Sequence, residues 1–131
     1  MKKIILSFLV LIAFTFSGLG QNELNICASK VKTGKFKSIG KNAGSQITRT
    51  EKEQVEFILE TQSTIISSVK WVSDTEYVLK IKKLINCQPG PIKKGIKLYV
   101  KIIDCTKTTF KCAVTYEGKE IGEIEYQILT D

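Results

Sequence analysis

The chain contains no histidine, and this limits its chemistry more than any residue present extends it. Without imidazole there is no Ser-His-Asp or Cys-His nucleophile, no His-Glu-x-x-His zinc site and no histidine general base. Two carboxylate pairs remain, Glu51 with Glu53 and Glu123 with Glu125. A spacing of two puts each pair on one face of a strand. A glycosidase needs carboxyl groups facing each other across a bond, about 5 to 10 Å apart. Same-strand neighbours among polar residues read instead as a solvated outer face. Gly40, Gly44, Gly90 and Gly95 lack the Lys-Ser/Thr and the following helix of a phosphate cradle, so they read as turn glycines. The expectation is a non-enzyme with no catalytic residue, no metal and no cofactor.

The first residues point to export. Lys2 and Lys3 precede an apolar run from Ile4 to Phe16, and Ser17-Gly18-Leu19-Gly20 offers small residues for cleavage before Gln21. The run is shorter than the roughly 20 residues a membrane helix needs. We therefore expect a signal peptide over residues 1–20, a single β domain over 21–131, no membrane span after cleavage, and a periplasmic or extracellular location. The mature part is one domain by length. Without Lys2 and Lys3 the charge falls from +7 to +5.

Four cysteines, Cys27, Cys87, Cys105 and Cys112, would remain. They form no Cys-x-x-Cys pair, which argues against a metal. An even count in a small exported domain favours two disulfides, and three pairings are open. Nearness in sequence favours Cys105 with Cys112, leaving Cys27 for Cys87. Against this, Cys112 shares a strand face with Phe110 and Val114, whereas Cys105 is out of phase with Leu98, Val100 and Ile102. A bulge or tight turn would have to reconcile them.

The elements carrying these residues have a period of two. Tyr77, Leu79 and Ile81 alternate with Glu76, Val78, Lys80 and Lys82. The same pattern runs through Ile96 to Ile102, Phe110 to Tyr116 and Ile124 to Ile128. Further strands are expected near Gly34 to Ile39, Ser45 to Thr50 and Thr64 to Val72. Thr50-Glu51-Lys52-Glu53 resembles a helix capping box, but Val55, Phe57 and Leu59 alternate and β-branched residues follow, which favours strand. Turn residues separate the strands at Gly40 to Gly44, Ser73-Asp74, Asn86 to Lys94, Asp104 to Thr108 and Glu117-Gly118-Lys119. The reading is all-β: one antiparallel up-and-down meander of seven or eight strands, closed as a barrel or half-barrel, with a β-sandwich as the alternative.

Such a sheet gives its residues two roles. Phe36, Trp71, Tyr77, Leu98, Phe110 and Tyr116 are expected inside, where they would line a ligand site or fill a core. Trp71 and Tyr77 flank the Ser73-Asp74 turn and could meet across a hairpin. Lys35, Lys37, Lys80, Lys82, Lys97, Lys101 and Lys111 fall on outer faces. They would form a basic stripe if their strands are neighbours, either as a charged exterior or as a surface for anionic partners. Nucleic acid is disfavoured, because arginine is scarce and no aromatic side chains interleave with the lysines.

Thr33-Gly34-Lys35-Phe36 resembles the Gly-x-Trp opening of lipocalin-like barrels, with phenylalanine for tryptophan. The chain is also similar to small exported bacterial β-proteins of unassigned function. The matching elements are Cys27, Lys32 to Lys37, Arg49 to Glu51, Trp71 to Asp74, and Tyr77 with Leu79; Thr75 stands where many of those proteins have a cysteine. The resemblance implies an exported lipocalin-like barrel. The functional expectation is a non-enzymatic module for a small apolar or amphipathic ligand. The alternative is a cell-envelope protein-interaction or structural module that uses sheet edges or the basic face.

Overall fold

A computed structural model of the protein describes residues 20–130. The expected signal peptide therefore lies outside the described residues, apart from Gly20.

Eight strands follow one short helix. Helix α1 is Gln21–Ser29, and the strands are β1 (Gly34–Ile39), β2 (Ser45–Arg49), β3 (Glu53–Ile58), β4 (Ser63–Trp71), β5 (Glu76–Ile85), β6 (Lys97–Cys105), β7 (Thr109–Tyr116) and β8 (Lys119–Leu129). Each strand runs antiparallel to the next, and β8 returns to pair with β1, closing a barrel in sequence order. The up-and-down barrel is thus found, in place of the sandwich. Closure gives every strand a partner on both sides. Among the described residues no whole strand is left with an unpaired edge.

Alternation places side chains as expected in most strands. Phe36, Tyr77, Leu79, Ile81, Val100, Ile102, Phe110, Cys112, Val114 and Tyr126 are all buried. Residues 53–58 are strand, as alternation indicated, but their faces are reversed. Gln54 sits opposite the buried Arg49, and Glu56 opposite the buried Ile47, so these two polar residues of β3 face inward. Val55 and Phe57 face outward, opposite the exposed Thr48 and Gln46.

Helix α1 was not expected. Leu24, Cys27, Ala28 and the following Val31 recur at i, i+3, i+4 and i+7, which makes one apolar stripe. That stripe packs on the core, and Ala28 and Val31 are fully buried. A disulfide joins Cys27 to Cys105, spanning 78 residues. This corrects the pairing favoured by proximity. Cys87 and Cys112 are free thiols, so the second expected bridge is absent among the described residues. The physical reason is the register of β6. A shift between Ile102 and Asp104 in the ladder with β7 inserts Ile103 as an extra residue. Cys105 thereby turns inward opposite Phe110, beneath the helix rather than beside Cys112.

Gly34 opens β1 at φ +138°, and a Cβ there would meet the Phe36 ring at 3.3 Å. Glycine lets the ring fold back over the strand end, which accounts for the Gly-Lys-Phe opening.

Candidate functional site

The two ends of the barrel differ in kind. At the end covered by α1, Arg49 lies inside the barrel and is 2% exposed. Its Nε donates to Gln54 Oε1 at 3.0 Å, its Nη1 to the Val31 carbonyl at 2.9 Å and its Nη2 to the Tyr77 hydroxyl at 2.9 Å. The guanidinium also lies against two rings, 5.2 Å from the Phe36 centroid and 4.6 Å from that of Tyr77. A buried cation is tolerated when its donors are satisfied and aromatic faces surround it. Here it ties the segment after the helix to the inner wall, and this end is a plug.

Aromatic side chains complete the plug. Phe36 meets Phe110 edge to face at 4.9 Å, and Phe110 stacks on Tyr126 at 5.1 Å. Trp71 and Tyr77 do meet across their hairpin, with centroids 4.6 Å apart. The Lys32 ammonium lies 5.2 Å from the Trp71 ring. The Cys112 sulfur is 3.9 Å from the Tyr77 hydroxyl, and burial pushes its thiol up to about 11. Burial likewise raises the Tyr77 and Tyr126 phenols. Such a thiol is inert at neutral pH.

The opposite end is open. A cavity of about 250 Å³ lies there, lined by Ile58, Ser63, Ile65, Leu84, Cys87 and Ile92 together with neighbouring turn residues. Ile58, Ile65 and Leu84 are inner-wall residues that stay half-exposed. Ile92, in the β5–β6 connection, is 48% exposed at the rim. Ile81 is buried yet stands outside the continuous core under the helix. One end of the interior is therefore packed, while at the other a cavity remains between the β3–β4–β5 wall and the β5–β6 connection.

Asn86 fixes the rim. It adopts φ 55°, a left-handed conformation that asparagine tolerates. Its side chain donates to the carbonyls of Thr61 and Gln62, each at 3.2 Å. Its own carbonyl accepts from Ser63 Oγ at 2.7 Å. The β3–β4 turn and the start of the β5–β6 connection are thus held together beside the cavity.

The residues expected inside divide between these regions. Phe36, Tyr77 and Phe110 belong to the plug, with Trp71 half-buried at the same end. Leu98 is half-buried against the core. Tyr116 is also half-buried, and it lines an outer cleft with Lys93, Lys94, Lys97 and Tyr99. None of the six lines the apolar cavity. The residues that do come from strand ends meeting across two successive hairpins, and only the strand order reveals that neighbourhood. Arg49 and Glu56 also went unremarked as interior groups.

The basic stripe is divided. Lys80 pairs directly with Lys97 on the outer face of β5 and β6, with Lys82 and Lys101 nearby along the same strands. Lys101 approaches Glu76 at 4.0 Å. Lys35 and Lys37 lie on β1, and Lys111 on β7 is separated from them by β8, where it faces Glu125. Among the described residues, no group of three or more histidine, cysteine or acidic side chains could hold a metal ion. No helix among them is long and apolar enough to cross a membrane. No family model, curated protein or solved structure matches this chain.

Proposed function

We propose that this is an exported, non-enzymatic, lipocalin-like module of bacterial type that holds a small apolar or amphipathic ligand in the open mouth of its barrel. The observation carrying this reading is the asymmetry of the interior. One end is packed and bridged by a disulfide, while the other keeps an apolar cavity of about 250 Å³ whose wall residues remain half-exposed. A cavity of about 150 Å³ lined by aliphatic side chains takes a benzene-sized guest, so this mouth suits a short alkyl chain or a single ring. A disulfide favours an oxidising compartment, in keeping with the amino-terminal signal reading.

Native mass spectrometry of protein purified from its own host should retain a ligand. In parallel, titration with 1-hexanol should shift the amide resonances of Ile65, Leu84 and Ile92, and Ile65→Trp should abolish those shifts without lowering Tm. Unmoved resonances in the wild-type chain at saturating hexanol would dispose of the mouth reading.

A second reading rests on Lys80 and Lys97. Like charges directly opposite across a sheet are destabilising, and among the described residues neither lysine is ion-paired with a carboxylate. That arrangement suits an anionic envelope surface. Lys80→Glu with Lys97→Glu should release the protein from phosphatidylglycerol vesicles at low salt. Equal sedimentation of the variant and the wild type would count against this use of the face.

A further inference from the structure

Glu56 is a half-buried carboxylate on the inner wall of the barrel, and among the described residues no basic side chain lies within ion-pair distance of it. Its direct neighbours across the ladders are the buried Ile47 on β2 and Ile65 on β4, and Ile65 in turn faces Leu84 on β5. Side chains directly opposite in a ladder lie about 4.5–5.5 Å apart at Cβ. Glu56 therefore sits in one continuous inner row with two residues of the mouth cavity, Ile65 and Leu84. Ile58, the next inward residue on β3, lines the cavity as well.

Among the described residues Glu56 forms no ion pair. The buried cation of the sheet, Arg49, already gives its donors to Gln54, Val31 and Tyr77. Polar companions around Glu56 are neutral: the Ser45 hydroxyl helps its ionised form, and Tyr126 lies near enough for its phenol to feel the charge. Burial pushes the Glu56 carboxyl up, against the smaller effect of Ser45. Glu56 is half-buried rather than fully enclosed, and a carboxylate beside Ile47 and Ile65 with no cation to balance it is still unfavourable. A chain needing only a filled wall would carry an aliphatic residue there, as β2 and β4 do. Gln54, the other inward polar residue of β3, has a cationic partner in Arg49; among the described residues Glu56 has only the neutral Ser45 hydroxyl and no cation.

We propose that the mouth takes a small primary amine with a short apolar tail, the tail lying among Ile58, Ile65 and Leu84 and the ammonium on the Glu56 carboxylate. This rests on the mouth reading above and names the ligand class for it. A carboxylic acid of the same size would meet like charge, and a neutral alcohol would leave Glu56 unbalanced. Charge-assisted hydrogen bonds in a partly desolvated site discriminate by about tenfold or more.

The test compares hexylamine, 1-hexanol and hexanoate on the wild-type protein by calorimetry at neutral pH, with the side-chain carboxyl resonance of Glu56 followed by carbon-13 NMR. Hexylamine should bind at least about tenfold more tightly than hexanol, hexanoate should bind weakest, and the Glu56 resonance should move only with the amine. Glu56→Gln should bring amine and alcohol to similar affinity. Equal binding of amine and alcohol, with a stationary Glu56 signal, overturns the amine proposal while leaving the apolar mouth intact. Binding of neither overturns both. The wild-type comparison and the Glu56 resonance decide the matter without recourse to the variant.

Discussion

Arg49 both donates to the Tyr77 hydroxyl, at 2.9 Å, and lies 4.6 Å from the centre of the same ring. One side chain is thus held by its polar tip and its apolar face together, and the pair closes the helix-covered end of the barrel. Truncating the cation would leave three interior acceptors without a donor. Arg49→Ala should lower the free energy of unfolding by about 3–5 kcal/mol, as measured by urea denaturation. Arg49→Lys should recover little, because a point charge cannot reach three divergent acceptors. Stability within 1 kcal/mol of wild type (about one fifth to one third of the expected loss) would contradict the plug.

The Cys27–Cys105 bridge closes a loop of 78 residues. The loop-entropy relation puts its stabilisation at up to about 4.5 kcal/mol, with about 2–4 commonly realised. Reduction, or Cys27→Ser with Cys105→Ser, should lower the urea midpoint accordingly and increase hydrogen exchange over residues 21–31 first. Unchanged exchange there would show that packing alone holds α1.

The two free thiols should react very differently. Cys87 is half-exposed at the mouth, whereas Cys112 is fully buried with its thiol pushed up to about 11. Iodoacetamide at pH 8 should modify Cys87 in the native protein and reach Cys112 only in denaturant. Peptide mapping by mass spectrometry distinguishes the two. Native labelling of Cys112 would mean that the aromatic plug opens readily.

Glu56 sets a pH dependence. Its carboxyl is raised in the folded state by burial, above an ordinary value of 4.5. The folded chain therefore binds this proton more tightly than the unfolded chain. The contribution to stability is most favourable below 4.5 and declines as pH rises through the raised folded value. Glu56→Gln should be more stable than wild type at pH 7 to 8, with the difference vanishing in acid. Thermal unfolding across pH checks this, and a variant less stable at pH 8 would reverse the assignment.

Much of the barrel was legible because β5 to β8 each bury one apolar face and wet the other. Tyr77, Leu79 and Ile81, or Phe110, Cys112 and Val114, declare their side of the sheet by type alone. β3 does not. Gln54 faces inward to meet Arg49, and Glu56 faces inward beside the mouth, so polarity there marks interior positions rather than a surface. The helix escaped notice because nine mostly polar residues, without a side-chain cap, do not sustain a helix by themselves. Its stripe from Leu24 to Val31 is meaningful only once a barrel end lies beneath it. The cavity was hidden for a related reason. Ile58, Ile65 and Leu84 looked like ordinary strand residues until the β3–β4–β5 order set them side by side.

The seam between β1 and β8 and the bridge from Cys27 to Cys105 share a consequence for assembly. Both join the first elements of the described residues to late ones, so the bridge cannot form before β6 is made, nor the seam before β8. Early strands can pair in hairpins as they appear, but the staple must wait for β6 and the cylinder for β8. Long-range closure of this kind folds on a scale of milliseconds to seconds. Until then the growing polypeptide remains an open ribbon.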